Sequence, residues 1–216
     1  PIIGLLRAWD RRGSAGVDAF VAISKFVAAR IRCFYGRQAD VVYPPVETSW
    51  IEPVRQGQSG EAFLYAGALV PYKRVDRVVE AFFLIGERLW IVGKGPEEAN
   101  LRKLARPKVE FFGHGPDREL AGFYRRCRAL VFPGVEDFGL IPLECMAAGR
   151  PVIGLYAGAL RETLKGVKPW EQSSIEPSEA CGVFIENKRR GGEAEQLDSL
   201  VSSVYYFIKH EQRFQV

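Results

Sequence analysis

Residues 129–148 read Ala-Leu-Val-Phe-Pro-Gly-Val-Glu-Asp-Phe-Gly-Leu-Ile-Pro-Leu-Glu-Cys-Met-Ala-Ala. The apolar run 129–132, closed by Pro133-Gly134, has the length and composition of a buried strand. A helix is expected over 141–148. Pro142 suits a first helical position, where no backbone N–H bond is lost, and Gly149 stops the helix. A strand, a glycine-containing loop and a helix N-terminus together present free N–H groups to an anion. Glu136 and Glu144 stand on either side of those groups, and carboxylates so placed can accept hydrogen bonds from hydroxyls. Phosphate plus hydroxyls describes a nucleotide-sugar. The competing reading is two ordinary surface glutamates near a helix start, where the helix dipole favours acidic side chains.

Outward from this segment, apolar runs alternate with helical patterns, which argues for a parallel α/β sheet. Strands are expected at 62–65, 89–92 and 109–112, with helices at 75–85, 97–105 and 117–126. Beyond it come a strand at 152–154, a short helix at 160–164, a strand at 183–185 and a last helix over roughly 194–208. About six strands with interleaved helices make a Rossmann-like domain with helices on both faces. Nearer the start, 18–23 reads as a strand. A helix follows to about Tyr35, capped by Ser24 and ended by Gly36, and then a short strand at 41–43 is cut off by Pro44-Pro45. Residues 52–60 read as a linker, and 188–192 as a basic, glycine-containing loop. The expected division is therefore 1–45 and 46–216.

Of the 216 residues, 47% are hydrophobic and 26% charged, proportions of a soluble globular protein. No apolar run approaches the ~20 residues of a membrane span. The opening segment is too short for a signal peptide and lacks a basic leader. It also lacks an initiator Met, so the start reads as either an artificially chosen fragment boundary or a processing boundary. A net charge of +4 is mild. It fits a site for phosphate or a surface that touches anionic lipid, and equally a solvated basic face. Cys33, Cys127, Cys145 and Cys181 are isolated, so neither a zinc site nor a disulfide framework is indicated. A reducing cytoplasm is the simpler expectation.

The turn after the first strand of the larger domain reads Gly67-Ala68-Leu69-Val70-Pro71-Tyr72-Lys73-Arg74-Val75-Asp76. A glycine at a strand end lets a ligand approach the backbone. Lys73 and Arg74 at a helix start oppose the helix dipole, which an anionic ligand would explain. Plain exposure of the two side chains is the alternative. Val92-Gly93-Lys94-Gly95-Pro96-Glu97-Glu98 begins like a dinucleotide fingerprint, but Glu98 holds the third glycine position and the segment follows the second strand. His114, in the loop Gly113-His114-Gly115-Pro116, is a candidate for stacking on or hydrogen-bonding to a base, or is merely exposed. Asp-x-Asp pairs, histidine clusters, nucleophile elbows and Walker loops are absent from the sequence. Aromatic residues are not interleaved with a basic stripe, so nucleic acid is not an expected partner.

The run Glu-Asp-Phe-Gly-Leu-Ile-Pro-Leu-Glu at 136–144, followed by Ala-Ala-Gly-Arg-Pro-Val-Ile at 147–153, resembles the Glu-x7-Glu signature of family-four retaining glycosyltransferases. The run Leu-Val-Pro-Tyr-Lys-Arg-Val-Asp at 69–76 resembles a segment of the mannosyltransferase-like members. The resemblance extends from about Trp9 to Phe207. It implies a GT-B fold, two facing Rossmann-like domains. Here 46–216 would be the C-terminal donor domain, and 1–45 the tail of an N-terminal acceptor domain with its crossover.

The resemblance implies transfer of a hexose, with mannose a candidate, from a GDP- or UDP-linked sugar to a hydroxyl, with retention and with neither metal nor cofactor. Lys73 and the N–H groups of Gly139 and Leu140 would hold the diphosphate, beside Gly67. Glu136 would sit over the sugar, Glu144 would hold the ribose, and the His114 loop would lie near the base. Many relatives carry Arg directly after the glycine; Ala68 stands here, with Arg74 the candidate substitute. Gly158-Ala159-Leu160-Arg161-Glu162 keeps the spacing of a Gly-Gly-x-x-Glu element, with Glu162 in a capping or interdomain role. The acceptor, a sugar or lipid-linked molecule, would be bound by the other domain, and a peripheral contact with the inner membrane face is a further expectation. The alternatives are a non-catalytic nucleotide-sugar-binding module and, more distantly, an NAD-dependent oxidoreductase.

Overall fold

The apolar runs pair into parallel sheets. The computed structural model describes residues 2–55, 58, 60–172, 175–188, 192–214 and 216, with only the backbone of Asp117. The linker expected over 52–60 and the basic loop over 188–192 thus lie partly outside the described residues. Internal contacts divide the chain into Pro1–Pro45 and Val46–Val216.

The first unit contains α1 (Ile2–Ser14), β1 (Val21–Ala22), α2 (Lys25–Tyr35) and β2 (Asp40–Val41), with β1 and β2 paired in parallel. The expected caps form. Ser24 Oγ accepts the Val27 N–H at 3.1 Å, and Gly36, at φ 66°, donates its N–H to Arg32 O. The helix α1 was not expected. Neither α1 nor α2 contains a buried residue, and Ile2, Leu5 and Trp9 are each more than 70% exposed.

The second unit runs β3 (Ala62–Ala66), α3 (Val75–Ile85), β4 (Leu89–Val92), α4 (Glu98–Leu104), β5 (Val109–Gly113), α5 (Asp117–Arg126) and β6 (Cys127–Phe132). It continues with α6 (Leu140–Ala147), β7 (Val152–Leu155), α7 (Leu160–Thr163), β8 (Gly166–Val167), β9 (Gly182–Ile185) and α8 (Gly192–His210). Among the described residues these strands form a seven-stranded sheet, all parallel, in the order β5-β4-β3-β6-β7-β9-β8. The two-residue strand β8 is an addition to the expected set. It is too short to carry a periodic signal. Pro142 stands third in α6 rather than first, still within the turn whose N–H groups lack intrahelical acceptors.

Every residue of β3, β4, β7 and β9 is buried, as a parallel sheet covered on both faces requires. Alternate residues face opposite cores. Phe63 and Tyr65 pack with Val78, Phe82, Val204 and Phe207, while Leu64 and Ala66 pack with Phe123, Tyr124, Phe132 and Cys145. Thus α3 and α8 cover one face, and α5 and α6 the other. Right-handed crossovers explain the split: the chain moves from β3 outward to β5, then crosses back and builds from β6 in the opposite direction. The reversal falls between β3 and β6. Arg150, 5% exposed, ties one end of this frame by donating to Arg125 O at 3.2 Å and to Gln58 O at 2.6 Å. None of the helices in the described residues is long and apolar enough to cross a membrane.

Candidate functional site

In an open parallel sheet the two loops that leave the carboxyl ends of strands at such a reversal diverge, and the crevice between them receives ligands. Here those loops begin at Gly67, after β3, and at Pro133, after β6. Gly67 has φ 142°, and a Cβ there would stand 3.7 Å from Lys73 Nζ and 3.3 Å from the Tyr65 hydroxyl. Beyond it, Pro71–Lys73 forms a short 3-10 turn, and Arg74 adopts a left-handed conformation with φ 54° to start α3. That turn carries the Lys73 side chain back over the strand end. Its Nζ lies 2.8 Å from Glu136 Oε1, and the two side chains are only 13% and 23% exposed. Among the described residues Lys73 is the only cation paired with Glu136, whose buried Oε1 has no other donor.

The backbone of Glu136 is fixed from the next strand over. Ala159 donates its N–H to Glu136 O at 3.0 Å. Gly158, at φ 61°, lies so close that a Cβ would meet the same oxygen at 2.6 Å. This clamp gives Gly158-Ala159 a positioning role that spacing alone did not show. Gly139, at φ 86°, then turns the chain into α6, whose first residue, Leu140, is exposed. The second helical residue, Ile141, reaches back to within 3.7 Å of a Cβ placed on Gly67. The Ile141 side chain in the first turn of α6 therefore packs at the end of β3, where Lys73 Nζ also lies.

Glu144 accepts a hydrogen bond from the Tyr124 hydroxyl at 2.7 Å. Burial, followed by the charge of Glu144 and this hydrogen bond, pushes the Tyr124 phenol up. Burial, with the charges of Glu136 and Tyr72, pushes the Tyr65 phenol up. Both hydroxyls therefore remain protonated donors. Sequence reasoning did not single out either tyrosine, because each reads as an ordinary core aromatic within its element.

A cleft of 450 Å³ opens beside Gly67, lined by Ile141, Phe112, Phe123, His114, Lys94 and Glu119 among others. His114 is thus on the wall of a cavity that also reaches Gly67. Arg74 is directed elsewhere. Its guanidinium pairs with Asp76 and Glu193, each at 3.3 Å, at the seam between α3 and α8. The glycines of the broken dinucleotide fingerprint have a packing reason. A Cβ on Gly93 would stand 1.9 Å from Gly67 O, and one on Gly95 2.2 Å from Leu69 O. Among the described residues no group of His, Cys, Asp or Glu side chains could hold a metal ion.

The architecture is that of one Rossmann-like half of a GT-B protein. The chain belongs to the family Glycosyl transferases group 1, whose model matches residues 60–182. It is 28% identical over 161 residues to an uncharacterized glycosyltransferase of Methanocaldococcus jannaschii, covering 72% of this chain and 45% of that protein. It is 30% identical over 194 residues to a GDP-mannose-dependent alpha-(1-6)-phosphatidylinositol monomannoside mannosyltransferase of Mycobacterium tuberculosis, covering 76% and 50%. Among solved structures, sucrose-phosphate synthase from Thermosynechococcus elongatus superposes with a TM-score of 0.72 at 19% identity, covering 96% of this chain and 53% of that one. The pneumococcal O-GlcNAc transferase GtfA, solved with UDP and GlcNAc, gives 0.69 at 18%, covering 94% and 40%. These likenesses are of fold. The chain spans about half the length of the curated relatives it matches.

Proposed function

We propose that this chain is the donor-binding half of a hexosyltransferase. Its reaction would move a sugar, mannose being the first candidate, from a GDP- or UDP-linked donor to an acceptor hydroxyl with retention. The observation that carries this reading is the largely buried Lys73–Glu136 pair at the sheet reversal, on the loop that leads into the N-terminus of α6. A cation held by a single carboxylate next to free helix N–H groups suits a diphosphate that exchanges for that carboxylate.

In the reaction the bond from the anomeric carbon to the diphosphate oxygen breaks, and its electron pair leaves on the diphosphate. Lys73 and the N–H groups of Gly139 and Leu140 would stabilise that charge, the largest electrostatic task of the step. Glu136, freed from Lys73, would face the sugar and stabilise positive charge developing at the anomeric carbon. The acceptor oxygen bonds to that carbon, and its proton would pass to the departing diphosphate oxygen. Glu144, oriented by Tyr124, would accept from the ribose hydroxyls. In this reading 1–45 is the tail of an acceptor domain. The whole enzyme would work in the cytoplasm, touching the membrane peripherally where its acceptor is lipid-linked.

Calorimetric titration with GDP, UDP, GDP-mannose and UDP-glucose, in the presence of a chelator, tests the donor site. Binding of at least one nucleotide is expected, and no binding at millimolar concentration would sink the proposal. The chain alone should transfer no sugar above background, because acceptor and donor must be held in near-attack contact and, in this reading, residues 1–45 supply only the tail of the acceptor domain. Robust transfer by these 216 residues would overturn the half-site reading.

A further inference from the structure

Among the described residues, the cleft beside Gly67 holds two charged side chains with no partner of opposite sign. Most acidic side chains near the surface of this unit are paired: Glu98 with Arg102, Glu110 with Arg88, Glu176 with Arg213, Glu52 with Arg125. Glu119 and Lys94 form no ion pair or side-chain hydrogen bond among the described residues, although both line the same cavity. Their positions are tied to one short loop. The Glu119 carboxylate folds back over Gly115, so close that a Cβ there would meet Oε2 at 2.0 Å. The Lys94 stem lies over Gly113, its Cε 3.4 Å from a Cβ placed there. The glycines at 113 and 115 thus leave room for the two charged side chains on either side of His114. Apart from His114, the remaining side chains on the walls are apolar, with Phe112 and Phe123 packed at 4.7 Å between ring centroids.

An apolar slot with a two-oxygen acceptor and a single-point cationic donor is complementary to only one common base edge. Guanine offers adjacent N1–H and N2–H donors, which a carboxylate accepts as a pair, and acceptors at O6 and N7 for an ammonium. Uracil offers one N–H between two carbonyls, so a second carboxylate oxygen would face a lone pair. Adenine and cytosine each offer an amino group beside an unprotonated ring nitrogen, with the same conflict. We infer that this cleft selects guanine, with Glu119 reading the N1–H and N2–H edge and Lys94 reading O6 or N7. The inference rests on the donor site proposed above and narrows it to GDP-linked sugars.

The test is calorimetry on the 216-residue chain and its Glu119→Gln and Lys94→Ala variants with GDP, IDP, UDP and ADP at one salt concentration. IDP keeps the purine and the diphosphate and lacks only the N2 amino group. The unaltered chain should bind GDP about 10- to 100-fold more tightly than UDP or ADP, and measurably more tightly than IDP. Glu119→Gln should abolish most of the GDP-over-IDP difference while changing UDP affinity by less than about threefold, a readout that misfolding would not produce. Lys94→Ala should weaken GDP and IDP alike. Equal affinity for GDP and UDP, a preference for UDP or ADP, or an unchanged GDP-over-IDP difference in Glu119→Gln would each overturn the assignment of guanine and leave the diphosphate site standing. Failure to bind any of the four would overturn both.

Discussion

Lys73 and Arg74 are neighbours in sequence and sit in two differently built charge clusters. Lys73 faces the crevice between β3 and β6 with a single carboxylate beside it, under little solvent. Arg74 joins the seam between α3 and α8. There Asp76, Glu80 and Glu193 meet Arg74 and Arg77, and Glu193 is 72% exposed. In the seam each cation has more than one acceptor, and water screens the rest. An incoming phosphate would have to break several bonds there and gain little. In the crevice one bond breaks, and the site is dry enough for its replacement to matter. The backbone produces the difference: the left-handed residue at 74 turns successive side chains to opposite sides of the helix start.

The contrast can be sharpened from its strong end downward. Arg150 is the extreme case of a saturated cation, buried and held by carbonyl oxygens. Arg150→Ala should lower stability by about 3 kcal/mol in urea unfolding without touching nucleotide affinity beyond what partial unfolding explains. Lys73→Ala should weaken UDP or GDP binding by about 1.5–3 kcal/mol, roughly 10- to 100-fold, with a modest change in stability. An effect no larger than that of Lys94→Ala on UDP would mean that the phosphate lies elsewhere.

Glu136→Gln probes the single partner directly. It removes the carboxylate that competes for Lys73, so bare diphosphates should bind about 3- to 10-fold more tightly, a gain of roughly 1 kcal/mol. In an enzyme completed by its acceptor domain the same change should cut turnover far more than donor affinity. Weaker GDP binding in Glu136→Gln would show that the carboxylate assists rather than competes. At the weak end, Arg74→Ala should shift nucleotide affinity by less than about twofold and stability by under ~1 kcal/mol, since its partners are solvated. A tenfold loss of affinity would dissolve the comparison and make Arg74 the substitute for the arginine absent at Ala68.

Which parts were readable from sequence follows from how local their causes are. Helix α3 is bounded by the turn before Val75 and by Gly86, and its expected limits are those observed. The fully buried strands announced themselves as unbroken apolar runs. By contrast, α1 has no buried face, so nothing about burial marks it as part of a core. The two residues of β8 hold their place only by pairing with β9. In the site, Glu136 and Lys73 are selected as candidates by residue type and flanking glycines. Their meeting is a product of strand order, which places the ends of β3 and β6 side by side. The seat of Arg74 depended on a carboxylate in the last helix, and the anchoring of Glu144 on a tyrosine two elements earlier. The role of Gly158 lay in a contact with a main-chain oxygen from another loop.

The Lys73–Glu136 pair also sets how a ligand arrives. A bare lysine in a narrow crevice projects a positive potential that draws anions in from a distance and raises association rates. Here the carboxylate at 2.8 Å cancels that field beyond the immediate neighbourhood, so an approaching nucleotide feels little pull until it touches the site. Association should then proceed at an ordinary rate with a shallow dependence on ionic strength, and discrimination among ligands should appear in how fast they leave. If the crevice takes a diphosphate, it would work by ion exchange at contact. A passing phosphate that cannot also engage the neighbouring cleft has too little hold to displace the resident carboxylate for long.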